Sequence, residues 1–334
     1  MDISVAPKQK TAPRSLFHSD ATRRLLAFGA LIVLVVAFSI ASENFFTFNN
    51  IKGILLATSV NGILAIGVTF VIITGGIDLS IGTVMTFSSV MAAVAITNEG
   101  LPVGVGVAVG IGTGALCGLI NGVVIARMKV PPFITTLGMM YIAKGLALII
   151  SELRPIYFTD SPAFREIAMG SILGSVIPEF DIPNAVLVMF GAALLAGFVL
   201  SSTILGRYTF SMGSNEEATR LSGVSTVLWK TAVYTLGGAF AGLGGVVMAS
   251  RLNSAQPALG QGYELDAIAA VVIGGTSLSG GEGSIMGTII GAFVMSVLVN
   301  GLRIMSVPQE WQTVVTGAIL VGAVYMDLIR RRAA

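Results

Sequence analysis

Residues 51–96 read IKGILLATSVNGILAIGVTFVIITGGIDLSIGTVMTFSSVMAAVAI. Two apolar stretches, 51–73 and 81–96, are separated only by Thr74-Gly-Gly-Ile-Asp-Leu-Ser80. An apolar run of about 20 residues is what an α-helix needs to cross the hydrocarbon core of a bilayer. A break containing two glycines, an aspartate and a serine predicts a broken helix or a tight re-entry between two spans. Irregular backbone at that depth is tolerated only where protein or a water-filled cavity satisfies its polar groups. Asp78 and Ser80 fit two roles there. They can cap the following helix by accepting backbone N–H bonds, or they can line an aqueous path or gate.

The same apolar character runs through the chain. Of 334 residues, 54% are hydrophobic and only 11% charged, against roughly a quarter charged in soluble domains. The chain reads as an all-α polytopic membrane protein. Its spans fall at 25–41, 51–73, 81–96, 103–126, 134–150, 184–202, 228–249, 266–275, 285–302 and 313–328, about ten transmembrane helices with a short eighth. The net charge of +2 gives no argument for nucleic acid. Cys117 is the single cysteine and lies in an apolar span, so no intrachain disulfide can form. His18 is the single histidine and sits in the polar amino-terminal stretch, which leaves no material for a histidine metal centre or a Ser-His-Asp triad. The first 24 residues, with Lys8, Lys10, Arg14, Arg23 and Arg24, read as a cytoplasmic tail. The apolar run after them reads as a first membrane helix, given the many spans that follow, and not as a cleaved signal core.

Loop charges set the expected orientation, because lysine and arginine collect on the cytoplasmic side. With the amino terminus inside, that side holds the basic tail, Arg127, Lys129, Arg207, Arg220, Lys230 and Arg330, Arg331 and Arg332. The other side keeps Lys52, Arg154, Arg165, Arg251 and Arg303. Both termini are therefore expected in the cytoplasm, as is the polar segment 206–230, GRYTFSMGSNEEATRLSGVSTVLWK. Within it, Ser214 and Glu217 fit a capping box, and Gly223 fits a left-handed stop. The pattern predicts a turn or two of helix presenting Ala218, Leu221 and Val224, a capped knob on a membrane surface.

On the opposite side, 151–183 is long and acidic, with Glu152, Asp160, Glu166, Glu179 and Asp181 among aromatics and prolines. Loops of that length commonly have a role, so a partner docking there is expected. A weak internal repeat is visible as well. Asn121-Gly122 is followed by Arg127 and Val130-Pro131, and Asn300-Gly301 by Arg303 and Val307-Pro308. The matching elements lie an odd number of spans apart, which predicts halves of inverted topology, as in many transporters. Glycines recur along 104–118 and 237–245, where close helix packing is the plain reading. The stretch TSLSGGEGS at 276–284 resembles a phosphate loop but lacks the lysine that ends one, so no nucleotide is expected to bind it.

Few residues inside the spans can carry chemistry. Lys144 lies well inside the fifth span, where an unpaired charge is costly; it is a candidate for a cavity or an acidic partner, with snorkelling to the interface as the plain alternative. Asp78, Ser80, Asn121 and Lys144 are the candidate path or gate residues. No pair of carboxylates suited to a proton relay appears, and aromatics that would stack on sugar rings are scarce. A weak, transient substrate path is expected, with selectivity supplied by another protein.

Several longer stretches resemble one family. These are NFFTFNN at 44–50, GGIDLSIG at 75–82, GRY at 206–208, NEEATRLSG at 215–223, ASRLNSAQP at 249–257, GYELDAIAAVVIGGTSL at 262–278 and Gly287-Thr288. They are similar to the membrane permease subunits of bacterial ATP-binding-cassette (ABC) sugar importers of the ribose-type branch, from about Asn44 to the end. The resemblance implies an ABC importer permease fold acting as a homodimer in the bacterial inner membrane, with the path near its two-fold axis. It implies a cytoplasmic ATPase partner that holds ATP and Mg²⁺, no cofactor in this chain, and a periplasmic sugar-binding protein. Under it, Ser214, Asn215, Glu216, Glu217, Ala218, Leu221, Ser222 and Gly223 form the coupling element. Arg154, Asp160, Glu166, Arg251 and Gln256 are then the expected docking residues for the binding protein.

The cargo expected from this resemblance is a monosaccharide, a ribose-like pentose or a related sugar. An ion-coupled secondary transporter is the competing reading, since such proteins also use inverted repeats and broken helices. An intramembrane enzyme is disfavoured because Asp78 has no evident catalytic partner in the sequence.

Overall fold

Apolar runs bounded by glycine, proline and small polar clusters fold here into helices whose ends follow that punctuation closely. The computed structural model describes residues 20–177 and 181–332; Lys8, Lys10, Arg14, His18 and Glu179 lie outside the described residues. In chain order the first elements are α1 (Asp20–Ala41), α2 (Phe48–Ile73), α3 (Ile81–Ala93, continued by a π turn, Val94–Asn98), α4 (Val103–Ala126) and α5 (Pro132–Ile150). A two-residue strand β1 (Ile156–Tyr157) and the short helices α6 (Pro162–Met169) and α7 (Ile172–Val176) follow. Then come α8 (Asn184–Ser202), α9 (Ile204–Ser214), α10 (Glu216–Leu221), α11 (Thr226–Leu252), β2 (Ser254–Ala255), α12 (Tyr263–Ile273), α13 (Ile285–Ile304) and α14 (Gln309–Arg332).

Seven helices among the described residues are long and apolar enough to cross a membrane: α2, α3 with its π turn, α4, α5, α8, α11 and α13. The apolar part of α1, Leu25–Ala41, is shorter. The helix α1 itself starts at Asp20, ahead of the tail boundary expected at residue 24, because no breaker separates Asp20 from the apolar run. The short eighth span is α12, whose 11 residues reach about 16 Å at 1.5 Å per residue, half of a hydrocarbon core. Irregular chain at 274–284 continues beyond its end.

The core is built around α2, in which every residue from Thr58 to Ile73 is buried. It is flanked by α8, α11, α12 and α13. A long close seam joins α4 to α11. A Cβ on Gly114 would lie 2.2 Å from the carbonyl oxygen of Gly238, and one on Gly118 2.2 Å from that of Tyr234. Backbones this close admit glycine only, so the small-residue rows serve packing. On the outside, α5 exposes Phe133, Ile134, Tyr141, Ile142 and Ile149, and α8 exposes Leu194, Leu195 and Phe198. Large side chains of this kind facing outward on long helices are what lipid contact requires.

The bundle has two ends of different character. At one, β1 pairs antiparallel with β2, Ile156 opposite Ala255 and Tyr157 opposite Ser254. The long loop is a folded cap there and not a loose excursion. The Phe158 and Phe164 rings stack at 4.0 Å between centroids, and Ser250 Oγ donates to the Phe164 carbonyl at 2.6 Å. Lys52 Nζ donates to Asp181 Oδ2 at 2.5 Å, and that ammonium holds the Asp181 carboxyl below the usual carboxylate range. The opposite end carries α10. The two Asn-Gly pairs noted in the sequence divide between these ends. Asn121 bonds Ser80 near the α10 end, and Asn300 bonds Asn50 near the strand end.

Candidate functional site

The α10 helix is short, capped at both ends and almost bare. Its cap corrects the expected Ser214–Glu217 box. Ser214 is the last residue of α9, so its backbone is already helical and the capping position passes to Asn215. Asn215 is extended (φ −161°, ψ 101°), and its Oδ1 accepts from the Ala218 N–H at 2.8 Å. Glu217 turns instead to Arg220, 3.5 Å away. At the other end Gly223 has φ +86°. Its N–H donates to the Arg220 carbonyl and the Val224 N–H to the Thr219 carbonyl, the paired bonds of a left-handed helix stop. Leu221 is 78% exposed, while Glu216 is tied to Lys230 at 2.5 Å. Leu221 is the large apolar side chain that α10 leaves uncovered.

Behind α10 the chain is pinned to the core. Gly213, next to the cap, lies so close to α2 that a Cβ would fall 1.8 Å from the Ile73 carbonyl oxygen. The same oxygen accepts the Gly281 N–H at 2.9 Å. The end of α9, the end of the central helix α2 and the 276–284 loop therefore meet at one carbonyl. The base of α10 is thus in backbone contact with α2 and with the loop between α12 and α13. The glycine-rich loop set aside as a phosphate site has this structural place.

Asp78, Ser80 and Asn121 come together as a buried cluster. Asp78 Oδ1 accepts the Ser80 N–H at 2.8 Å and the Ser80 hydroxyl at 2.6 Å. Asn121 Nδ2 donates to Ser80 Oγ at 3.1 Å. Asp78 is thus the first residue of a local turn that leads the chain into α3. Ser80 is the cap position of α3 but makes no side-chain capping bond. Lys144 stands apart from this cluster and donates to Gln261 Oε1 at 3.1 Å.

Toward the strand end lies a cavity of about 640 Å³ between α2, α12, α13 and α14, within the usual size of small-molecule sites. Asn61, Arg251, Asp266, Asn300, Arg303 and Gln312 are among its lining residues. Sequence reasoning did not single out this group as a site. The only signal was polar residues within apolar spans, and they are scattered over 61–312. Of the expected docking residues, Arg154, Asp160 and Glu166 are exposed on the cap, and β1–β2 pairing brings Gln256 to the same end. Arg251 departs from that group: it is half-buried, donates to the Leu56 carbonyl at 3.4 Å and faces the cavity.

Long apolar helices around a partly polar cavity, with an exposed capped helix at one end, suit a membrane transport subunit. Comparison with known proteins agrees. Residues 50–324 match the family described as branched-chain amino acid transport system / permease component, and the chain belongs to that family. It is 42% identical to the ribose import permease protein RbsC of Escherichia coli K12 over 89% of this chain and 91% of that one. It is 38% identical to RbsC of Bacillus subtilis 168 over 95% and 97%. It is 37% identical to the L-arabinose transport system permease protein AraH of Escherichia coli K12 over 99% and 98%. No solved structure matches.

Proposed function

We propose that this chain is the membrane permease of an ATP-driven ABC importer in a bacterial inner membrane, translocating a monosaccharide such as a pentose. The observation that carries the reading is the 42% identity to a ribose import permease along 89% of the chain. An arabinose permease matched over nearly the whole length supports sugar as the class of cargo within a family whose description also names amino acids. None of the named relatives favours the ion-coupled alternative.

In this reading α10 is the coupling helix, and Leu221 is its anchor in a groove of a separate cytoplasmic ATPase. That partner binds ATP and Mg²⁺ and performs the hydrolysis. Two copies of this chain form the working dimer. A periplasmic sugar-binding protein docks on the strand end, where Arg154, Asp160, Glu166 and Gln256 gather. Both termini are cytoplasmic, in keeping with the loop charges. The full complement is ten membrane segments in two inverted halves, with α1, α12 and α14 as the shorter or more polar ones. The meeting of Asn121-Gly122 with the start of α11, against that of Asn300-Gly301 with the start of α2, supports such a pseudo-symmetry: Gly122 packs on Thr231, and Asn300 bonds Asn50.

The test joins topology to transport. Cysteines placed at Asp160 and Gln256 are expected to react with an impermeant thiol reagent from outside the cell, and one at Asn215 is not. Proteoliposomes holding the permease, its ATPase and its binding protein are expected to take up a pentose only with ATP. Outside labelling at Asn215, or uptake driven by a Na⁺ or H⁺ gradient without ATPase, overturns the assignment.

A further inference from the structure

The glycine-rich loop at 276–284, TSLSGGEGS, is a built turn and not slack chain. The Gly280 N–H donates to the Ser277 carbonyl at 3.0 Å, the Ser277 N–H to the Glu282 carbonyl at 3.2 Å and the Gly281 N–H to the Ile73 carbonyl at 2.9 Å. Gly280 and Gly281 take the left-handed backbone that this path needs, φ +82° and +78°. Thr276, Ser277 and Gly280 are buried, while Ser279 and Glu282 are exposed. A surface ordered in advance loses little conformational freedom when a partner covers it.

The loop adjoins the base of α10. A Cβ on Gly281 would lie 2.8 Å from Ser214 Oγ, and one on Gly280 would lie 3.0 Å from the Gly213 carbonyl oxygen and 2.8 Å from the Gly75 nitrogen. Gly75, Ser214 and Asn215 are themselves exposed. Three segments far apart in sequence, at 75, 214–215 and 279–282, therefore meet at one surface that leads onto α10. Gly75 has φ +75°, and a Cβ there would come within 4 Å only of the Ser279 carbonyl oxygen, at 3.8 Å. With no side chain at 75, another protein can approach the backbone closely beside Ser279.

By itself α10 is too small for a lasting interface. Its six residues span about 9 Å at 1.5 Å per residue. A specific protein–protein interface covers about 800 Å² and roughly 20–30 residues on each partner. A protein that seats Leu221 has to cover neighbouring surface too, and the rigid surface in backbone contact with the base of α10 is the one made by 75 and 279–282. Its exposed side chains, Ser214, Asn215, Ser279 and Glu282, are polar and suit a protein surface better than lipid. We infer that Ser279, Glu282 and Gly75 form a second contact for the ATPase, a polar ledge beside the apolar anchor Leu221. One anchor leaves a partner free to turn about it, and a second contact fixes its orientation. The ledge lies between the end of α2 at Ile73 and the start of α13 at Ile285, so the ATPase meets both helices as well as α10.

The inference rests on the importer reading for the identity of the partner, and its test keeps the two apart. The permease is placed in lipid nanodiscs with its ATPase, and Ser279→Cys, Leu221→Cys and Asp160→Cys each receive a benzophenone photocrosslinker. Cys117 is buried, so the introduced thiol is the one that reacts. ATPase adducts are expected from positions 279 and 221 and not from 160, at the strand end. Ser279→Trp, which puts bulk into the contact, is expected to weaken ATPase affinity about tenfold, with the melting temperature and size-exclusion profile of the permease unchanged. Should that variant fail to fold, the adduct at 279 still decides. An adduct at 221 without one at 279, or unchanged affinity in a folded Ser279→Trp, overturns the ledge and leaves α10 as the coupling helix. Equal yields from 279 and 160 mark the adducts as collisional and overturn the ledge as well. An adduct at 279 without one at 221 upholds the ledge and removes Leu221 as the anchor. Adducts at neither position, with ATPase held on the membrane, overturn the ledge and the coupling reading together.

Discussion

The coupling end and the cavity end are built in opposite ways. At α10, an apolar side chain is exposed on a polar surface, held by caps supplied within 215–224. In the cavity, polar side chains are buried in an apolar bundle, and their positions come from helices that begin more than two hundred residues apart. The first arrangement suits contact with another protein. The second leaves a space enclosed by helices. Between them runs the central helix α2, whose Ile73 carbonyl meets the base of α10 and whose Asn61 lines the cavity. In the proposed importer, one helix thus joins the end where the ATPase would bind to the cavity end.

The largest effect is expected where both ends depend on the same seam. Gly114→Leu drives a side chain into the Gly238 backbone and should cost about 3 kcal/mol or more, read as loss of a monodisperse, folded protein. Normal yield and melting temperature would show that α4 and α11 are not the common frame of the two ends.

Next is Leu221→Asp. Burying a leucine stabilises a contact by roughly 1.5–3 kcal/mol, and an aspartate there has also to be desolvated. ATPase recruitment to the membrane and its stimulation by loaded binding protein should be lost, with the permease still folded. Glu216→Gln should change the same measurements little, because the ion pair to a partly exposed carboxylate is worth about 0–1 kcal/mol. Equal losses in the two variants would make α10 an electrostatic contact and not an apolar one.

Asp78→Ala comes third. It leaves the Ser80 N–H unpaired in a buried turn, about 1–3 kcal/mol, and should lower the melting temperature and slow uptake. An unchanged melting temperature with uptake abolished would move Asp78 from the frame into the path. The smallest effect separates the two ways of capping α10. Asn215→Ala should cost about 1 kcal/mol and weaken ATPase stimulation modestly, whereas Ser214→Ala should be silent. The reverse order would restore the capping box expected from the sequence.

Much of the frame is legible in the amino-acid order. The bounds of α4 and α8 coincide with the spans expected at 103–126 and 184–202, because Pro102 and Pro183 precede them and a basic turn, Arg127-Met128-Lys129, or the polar Ser201-Ser202-Thr203 ends them. The stop at Gly223 is legible too, since it depends on local φ alone. The cap residue is not, because whether Ser214 ends α9 or begins α10 depends on how far α9 extends, and that is set by the packing of Gly213 on Ile73. Arg251 falls with the docking face in the sequence for a similar reason: a residue at the end of a span can point outward or back into the bundle, and only its neighbours decide.

What the sequence determined by itself is the membrane character, the helix ends and the short apolar knob, since hydropathy and turn chemistry act over a few residues. It also held the family resemblance. Only the tertiary structure decided that Asp78, Ser80 and Asn121 form one cluster while Asn61, Asn300 and Gln312 line one cavity. Their oxygens and nitrogens are indistinguishable in the sequence. Which end of the Asn300 and Gln312 amides stays unpaired is fixed by backbone carbonyls that the fold brings within hydrogen-bond reach.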